Sequence, residues 1–163
     1  MITAYQYGKE MDQSQLKEWV TGIVPDATFE ENKQFAVVTV APDKLLSLLK
    51  NLKESPETAF DFLFCITGAD WNNKLMVIYH LESTLHKHRI EIKTGTDDRE
   101  KPILDSVYSL YKGAELHENE IFDLFGITFK GHPNLRRMFM PEDWAGFPLR
   151  KDYVDEVNII DLT

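Results

Sequence analysis

The residues best suited to chemistry lie in AELHENEIFDLFG, residues 114–126, which gathers Glu115, Glu118, Glu120 and Asp123 around His117. On a helix, side chains three or four apart share a face, so Glu120 can meet Asp123 and His117 can meet Glu120. A carboxylate pair with divergent pKa values can supply both the acid and the base of one reaction. The interleaved Leu116, Ile121, Leu124 and Phe125 also give the segment the pattern of an amphipathic helix, whose acids form its solvated side. Spacing favours this second reading. No histidine follows His117 four residues on, so the H-E-x-x-H metalloprotease pattern is absent.

The other reactive types are weaker candidates. His86 and His88 share a face if they lie on a strand. A metal would need a third ligand from elsewhere, and Lys87 and Arg89 beside them oppose a cation. The pair is therefore expected at a solvated strand end, and His80, inside an apolar strand, as a satisfied and partly buried histidine. Cys65 is the single cysteine. It excludes an intrachain disulfide and any cysteine-based zinc or iron–sulfur site, and reads as a small buried hydrophobe in a reducing compartment. The dinucleotide fingerprint, the phosphate loop and the G-x-S-x-G elbow are all missing. No catalytic, cofactor-binding or metal-binding residue is expected, and no cofactor.

A second segment stands out by composition. GHPNLRRMFMPEDWAGFPLRKDY, residues 131–153, concentrates Arg136, Arg137, Arg150 and Lys151 in a chain whose net charge is −9. Pro133, Pro141 and Pro148 forbid one long helix. Leu135, Met138, Phe139, Met140, Trp144, Phe147 and Leu149 make it too apolar for a disordered tail. It reads as an ordered, irregular ribbon lying against something. The arginines can pair internally with the acidic helix just before them, or the ribbon can meet a partner through its Arg, Trp, Phe and Met content.

The elements that must position these residues follow from caps and periodicity. The chain's 163 residues, 43% of them hydrophobic, suit one domain with an extension. The acidic balance excludes a general nucleic-acid binder. No apolar run approaches the roughly 20 residues of a membrane span, and the first residues lack the charged and apolar regions of a signal peptide; neither is expected. Asp12-Gln13-Ser14 caps a helix reaching Ile23. QFAVVTV, residues 34–40, predicts a strand. Pro42 opens a helix with the stripe Leu45, Leu46, Leu48, Leu49 and Leu52. Residues 60–67, 75–81 and 86–93 predict a three-stranded meander, with Gly95 to Arg99 as a loop. Pro102 is expected to open a helix carrying Ile103, Leu104, Val107, Leu110 and Tyr111. A further helix spans residues 114–125 with Gly126 as its C-terminal glycine, and residues 127–129 form a short last strand. Without strict alternation this predicts α+β: a mixed sheet with helices mainly on one face, then an extended irregular C-terminal segment. The division expected is 1–130 for the domain and 131–163 for the extended docking segment.

The stretch ENEIFDLFGITFKGHPNLRRMFMPEDWAGFPLRKDY resembles the signature of the 30 kDa subunit of NADH:quinone oxidoreductase, respiratory complex I. That pattern reads approximately E-R-E-x-x-D-x-F-G-I-x-F-x-G-H-P-x-L-R-R, then P-L-R-K-D-Y. Glu118, Glu120, Asp123, Phe125, Gly126, Ile127, Phe129, Gly131, His132, Pro133, Leu135, Arg136 and Arg137 match, as do residues 148–153. Residues 60–63, 66–70 and 79–81 also look like the family. Asn119 stands where the pattern has Arg, and Leu116 where it has Trp. The resemblance implies a non-catalytic accessory and assembly subunit without a redox centre. It would sit in the hydrophilic arm beside the quinone-site subunit, peripheral to the cytoplasmic side of the inner or plasma membrane and without direct transmembrane insertion. Its partner interface would comprise His132, Arg136, Arg137, Trp144, Phe147, Leu149, Arg150, Lys151 and Tyr153. Related subunits occur in membrane-bound hydrogenase, formate hydrogenlyase and coenzyme F420 dehydrogenase complexes. Two readings from other classes stay open at this point. One is a stand-alone binding module for acidic partners. The other is an independent enzyme using the acidic helix with His117 or His132.

Overall fold

The computed structural model describes residues 9–31 and 34–155. Helix α1 (Gln13–Ile23) starts with a reciprocal capping box: the Asp12 carboxylate accepts from the Gln15 N–H at 2.9 Å, and the Gln15 side chain accepts from the Asp12 N–H at 3.0 Å. Strands β1 (Thr28–Glu30) and β2 (Ala36–Thr39) follow. Helix α2 (Pro42–Glu54) has Pro42 in its first turn, where the missing N–H costs nothing, and buries Leu45, Leu48, Leu49 and Leu52. Those four leucines sit at i, i+3, i+4 and i+7 and together contribute about 8 kcal/mol of burial, at about 2 kcal/mol each.

Strands β3 (Phe62–Asp70), β4 (Leu75–Glu82) and β5 (Arg89–Thr96) form the expected meander. The strand order is β1-β2-β5-β4-β3, with β2 and β5 parallel and every other pair antiparallel. Alternation sorts the side chains. Leu75, Val77, Tyr79 and Leu81 of β4 and Ile90 and Ile92 of β5 join the same buried cluster as the apolar stripes of α1, α2 and the third helix. The helices thus cover one face. The opposite face carries a cross-strand charge ladder, with Lys93 on Glu30 at 2.8 Å, His80 3.3 Å from Glu91, and Arg89 on Glu82 at 2.7 Å.

Three expectations are corrected. Pro102 does not open a helix: Ile103–Asp105 is strand β6, and turns at residues 107–114 replace the expected helical run. β6 pairs in parallel with β7 (Thr128–Lys130), a partner 25 residues on, and no local pattern reports it. The Gly95–Arg99 loop starts later than expected, because β5 continues through Thr96. His86 and His88 are buried rather than solvated, with 9% and 2% of their surface exposed, and their rings stack with centroids 5.3 Å apart. The His86 Nε2 and His88 Nε2 each reach a backbone carbonyl, of Pro56 at 2.8 Å and of Thr58 at 2.6 Å. Their rings thereby close the loop after α2 onto the sheet. Cys65 is half-buried on β3.

Helix α3 (Ala114–Phe125) packs on β3 and ends where Gly126 takes φ 77°, a left-handed conformation open to glycine. β7 follows, and the turn at Gly131, φ 84°, releases the ribbon.

Candidate functional site

Helix α3 turns two of its acids inward. Glu118 and Asp123 are fully buried and Asn119 is 2% exposed, against the amphipathic expectation; Glu120 alone of Glu118, Glu120 and Asp123 stays exposed. Each buried polar group has a specific task, because leaving one unpaired would cost several kcal/mol. Glu118 accepts from the Ser106 hydroxyl at 2.6 Å and the Val107 N–H at 2.8 Å. This bracket holds the turn where a helix was expected. Burial raises Glu118 above the ordinary carboxylate range, only partly opposed by those two donors and the His132 ring 3.9 Å away.

Asp123 fastens the ribbon. Its Oδ2 accepts from three successive N–H groups, Met138 at 2.9 Å, Phe139 at 2.6 Å and Met140 at 3.0 Å. Its Oδ1 takes the Arg137 guanidinium at 2.8 Å. Burial pushes Asp123 up, but these donors outweigh it and hold the carboxyl below its usual range. Arg137 then bridges onward to the carbonyls of Trp144 at 3.1 Å and Gly146 at 3.0 Å, and lies 5.1 Å from the Phe147 ring centroid. One side chain thereby ties both limbs of the loop 137–147. The Asn119 side-chain amide oxygen accepts from the Arg136 N–H, and the Leu149 N–H reaches the backbone carbonyl of Leu124 at the end of α3.

A second buried carboxylate fastens the far end. Asp70, at the end of β3, takes Arg99 through both carboxylate oxygens, at 2.9 and 2.7 Å, and accepts the Lys151 N–H at 2.9 Å. The Arg99 guanidinium holds it well below the usual carboxylate range. Arg99 also meets Asp152, Arg150 pairs with Asp152, and Arg150 donates to the Arg99 carbonyl. Arg150 and Arg99 hold Asp152 down to about 2. His132 donates from Nε2 to the Glu115 carbonyl and accepts the Asn134 N–H at Nδ1.

The ribbon therefore has two sides. Among the sequence-derived interface residues, His132, Arg137, Trp144, Phe147, Arg150 and Tyr153 turn toward this chain, while Arg136, Leu149 and Lys151 face out. Among the described residues, the side chains of Arg136 and Lys151 make no ion pair or hydrogen bond. Two outward residues escaped the sequence reading as surface groups: Phe139, 58% exposed, and Met138, 42% exposed. An irregular segment has no periodicity to sort inside from outside, so no sequence signal could have found them. Asp123 and Glu118 each have their oxygens occupied by internal donors, and the arrangement offers a shaped surface rather than a carboxylate pair facing a substrate.

Residues 38–157 match the family described as respiratory-chain NADH dehydrogenase, 30 kDa subunit. The NADH-quinone oxidoreductase C subunit of Roseiflexus sp. (strain RS-1) is 39% identical over 147 residues, covering 87% of this chain and 84% of that protein. The NADH-quinone oxidoreductase C/D subunit of Phocaeicola vulgatus is 42% identical over 127 residues, and there the match covers 77% of this chain but only 24% of the longer protein. Among solved structures, a chain of the membrane-bound sulfane sulfur reductase, an archaeal respiratory membrane complex, superposes with a TM-score of 0.74. Its identity is 25%, and the match covers 88% of this chain and 86% of that one. The chain belongs to the respiratory-chain NADH dehydrogenase 30 kDa subunit family.

Proposed function

We propose that this chain is a non-catalytic accessory and assembly subunit in the hydrophilic arm of a membrane-bound NADH:quinone oxidoreductase, docked beside the quinone-site subunit on the cytoplasmic side. The segment from residue 131 onward is its docking strap. One observation carries the reading: the Asp123 carboxylate holds three consecutive N–H groups, which fixes the backbone of residues 138–140 while Met138 and Phe139 face outward. A fixed loop loses little entropy when a partner closes on it, so its apolar tips act as anchors. Arg136 and Lys151 flank them and suit an acidic neighbour. Among the described residues no helix is long and apolar enough to cross a membrane, so attachment would run through partner subunits.

The likeness to a sulfane sulfur reductase chain favours a second reading, the equivalent subunit in a related membrane-bound reductase or hydrogenase complex. One experiment tests both. The tagged chain is purified gently from native membranes, its companions are identified by mass spectrometry, and the eluate is assayed for NADH:quinone and alternative reductase activities. Co-purification of iron–sulfur and membrane subunits with NADH:quinone activity is the expected result. Another reductase activity would select the second reading. A clean monomer even after crosslinking overturns both.

A further inference from the structure

Among the described residues, strand β3 is the outer strand of the five-stranded sheet and pairs only with β4. Among the described residues, the backbone of residues 62–69 makes no hydrogen bond outside that ladder. A bulge between Leu63 and Cys65 twists the start of the strand and leaves residues 65–70 in regular register. Beside this stretch lies a cleft of about 300 Å³, lined on one side by residues 65–68. Successive strand side chains point to opposite faces. A cleft lined by four consecutive strand residues therefore runs along the strand's edge, where its free N–H and C=O groups point.

The opposite wall is one face of α3, His117, Glu120, Ile121, Leu124 and Phe125, at i, i+3, i+4, i+7 and i+8, with Leu149 of the ribbon beside it. A free strand edge facing a helix across an apolar cleft is the geometry of β-strand addition. The edge specifies the class of occupant, because a row of alternating donors and acceptors is matched only by another extended backbone. Residues 65–70 leave room for about five residues at ~3.3 Å each. Ile121 and Leu124 offer an apolar seat. Glu120 on the rim is exposed and has no cationic partner among the described residues.

We propose that this cleft takes an extended segment of a neighbouring polypeptide as a sixth strand, with one apolar side chain against Ile121 and Leu124 and a lysine or arginine beside Glu120. The inference rests on the reading of this chain as a subunit of a larger complex. A second copy of the chain fits less well, since two-fold pairing of β3 edges would bring two Glu120 rims together.

Amide hydrogen exchange over residues 64–69 and alkylation of Cys65 by iodoacetamide, compared between the isolated chain and the assembled complex, test it. Cys65 is the sole cysteine of the chain and lies on this edge, so its alkylation reports one position of β3. Both rates should fall at least tenfold in the complex. A benzophenone placed on Cys65 in the complex should crosslink to an extended, Lys- or Arg-containing segment of another subunit. Equal exchange and alkylation in the two states would sink the strand-addition claim while leaving the subunit reading intact. A crosslink mapped to a helix or an acidic segment would do the same. Concentration-dependent protection of the isolated chain, with a dimer in sedimentation, would replace the partner by a second copy. Absence of any assembled complex would remove the subunit reading and this inference together.

Discussion

At the scale of single residues, the buried carboxylates and histidines are the parts whose loss can be forecast most directly. Hydrogen bonds to a charged acceptor are each worth about 1.5–3 kcal/mol, and a donor left unpaired in the interior costs its desolvation as well. Asp123→Ala orphans three N–H groups and Arg137 together, so we expect about 3–4 kcal/mol of destabilisation. Asp123→Asn, which keeps one acceptor oxygen, should cost about half as much. Urea unfolding midpoints of the two variants measure the difference, and equal midpoints would remove Asp123 from the role of fastener. His88 gives a pH test. Burial holds it below the ordinary imidazole value, with His86 adding to the effect and the Thr58 bond opposing it. The depressed value means that the unfolded chain takes up the proton first. The stabilising contribution of neutral His88 is therefore complete above about pH 6.5 and declines as pH falls toward its folded value. His88→Phe keeps a ring against Phe60, whose centroid is 4.8 Å away, and removes the proton. It should lower stability at pH 8 and flatten the slope of stability just below pH 6.5. An unchanged slope would contradict the assignment.

At the scale of elements, the ribbon behaves as a separately fastened part. Asp70, Asp123 and Asp152 all titrate below their ordinary values, through Arg99, the residue 138–140 N–H groups, and Arg150 respectively. By the sign of linkage, their contributions are complete above the ordinary carboxylate value of about 3.9 and are lost as pH falls below it. Glu118 acts oppositely: its raised value makes the charged form the unfavourable one, so acid relieves the bracket at Ser106 rather than breaking it. Acid should therefore release the ribbon before the α+β body. A variant retaining only Trp144, with Trp19 and Trp71 replaced by Phe, should change fluorescence at a higher pH than the loss of far-ultraviolet ellipticity. Coincident transitions would show a single cooperative unit. The end of α3 is as sharp. Gly126 needs φ 77°, and a Cβ there would stand 2.5 Å from the Phe147 ring. Gly126→Ala should cost about 1–2 kcal/mol from the backbone alone, and should also speed proteolysis within residues 137–147. The glycine itself was readable, since it follows the last periodic residue of α3. So were α1, α2 and the β3–β5 meander, because caps, prolines and alternation are local signals. β6 was not: Pro102 with Ile103, Leu104 and Val107 carries the local marks of a helix start, and only pairing with β7 makes it a strand. β1 escaped for a similar reason, being three residues long and defined by its pairing with β2.

At the scale of the whole molecule, what was readable of the site was its chemistry and not its orientation. The concentration of Arg, Trp, Phe and Met between residues 131 and 153 marked a surface that must lie against something, and four bases beside an acidic helix left internal and external pairing both open. Side-chain direction settles the division at individual positions. The side chains of Arg137 and Arg150 are engaged within this chain, and those of Arg136 and Lys151 make no ion pair or hydrogen bond among the described residues. The acids of α3 were misjudged because solvent and a backbone cradle both suit a carboxylate, and periodicity alone does not separate them. This division gives the assembly reading a clean test. Phe139 is more than half exposed, although its N–H is bound by Asp123. Replacing an exposed side chain usually alters stability by less than about 0.5 kcal/mol, so Phe139→Asp should melt within about 2 °C of the parent. An aromatic anchor at an interface is worth about 2 kcal/mol or more, and a buried charge in its place adds a penalty. Capture of partner subunits should accordingly fall by at least about thirtyfold. Arg137→Ala should show the reverse balance: it strips the Asp123 carboxylate of its guanidinium and the carbonyls of Trp144 and Gly146 of their donor, and lowers stability by about 3 kcal/mol. Pull-down yield and thermal melts on the same two proteins decide the matter. If Phe139→Asp assembled as well as the parent while Arg137→Ala lost assembly only in proportion to unfolding, the outward face of the ribbon would be ordinary surface, and the fasteners would serve the fold alone.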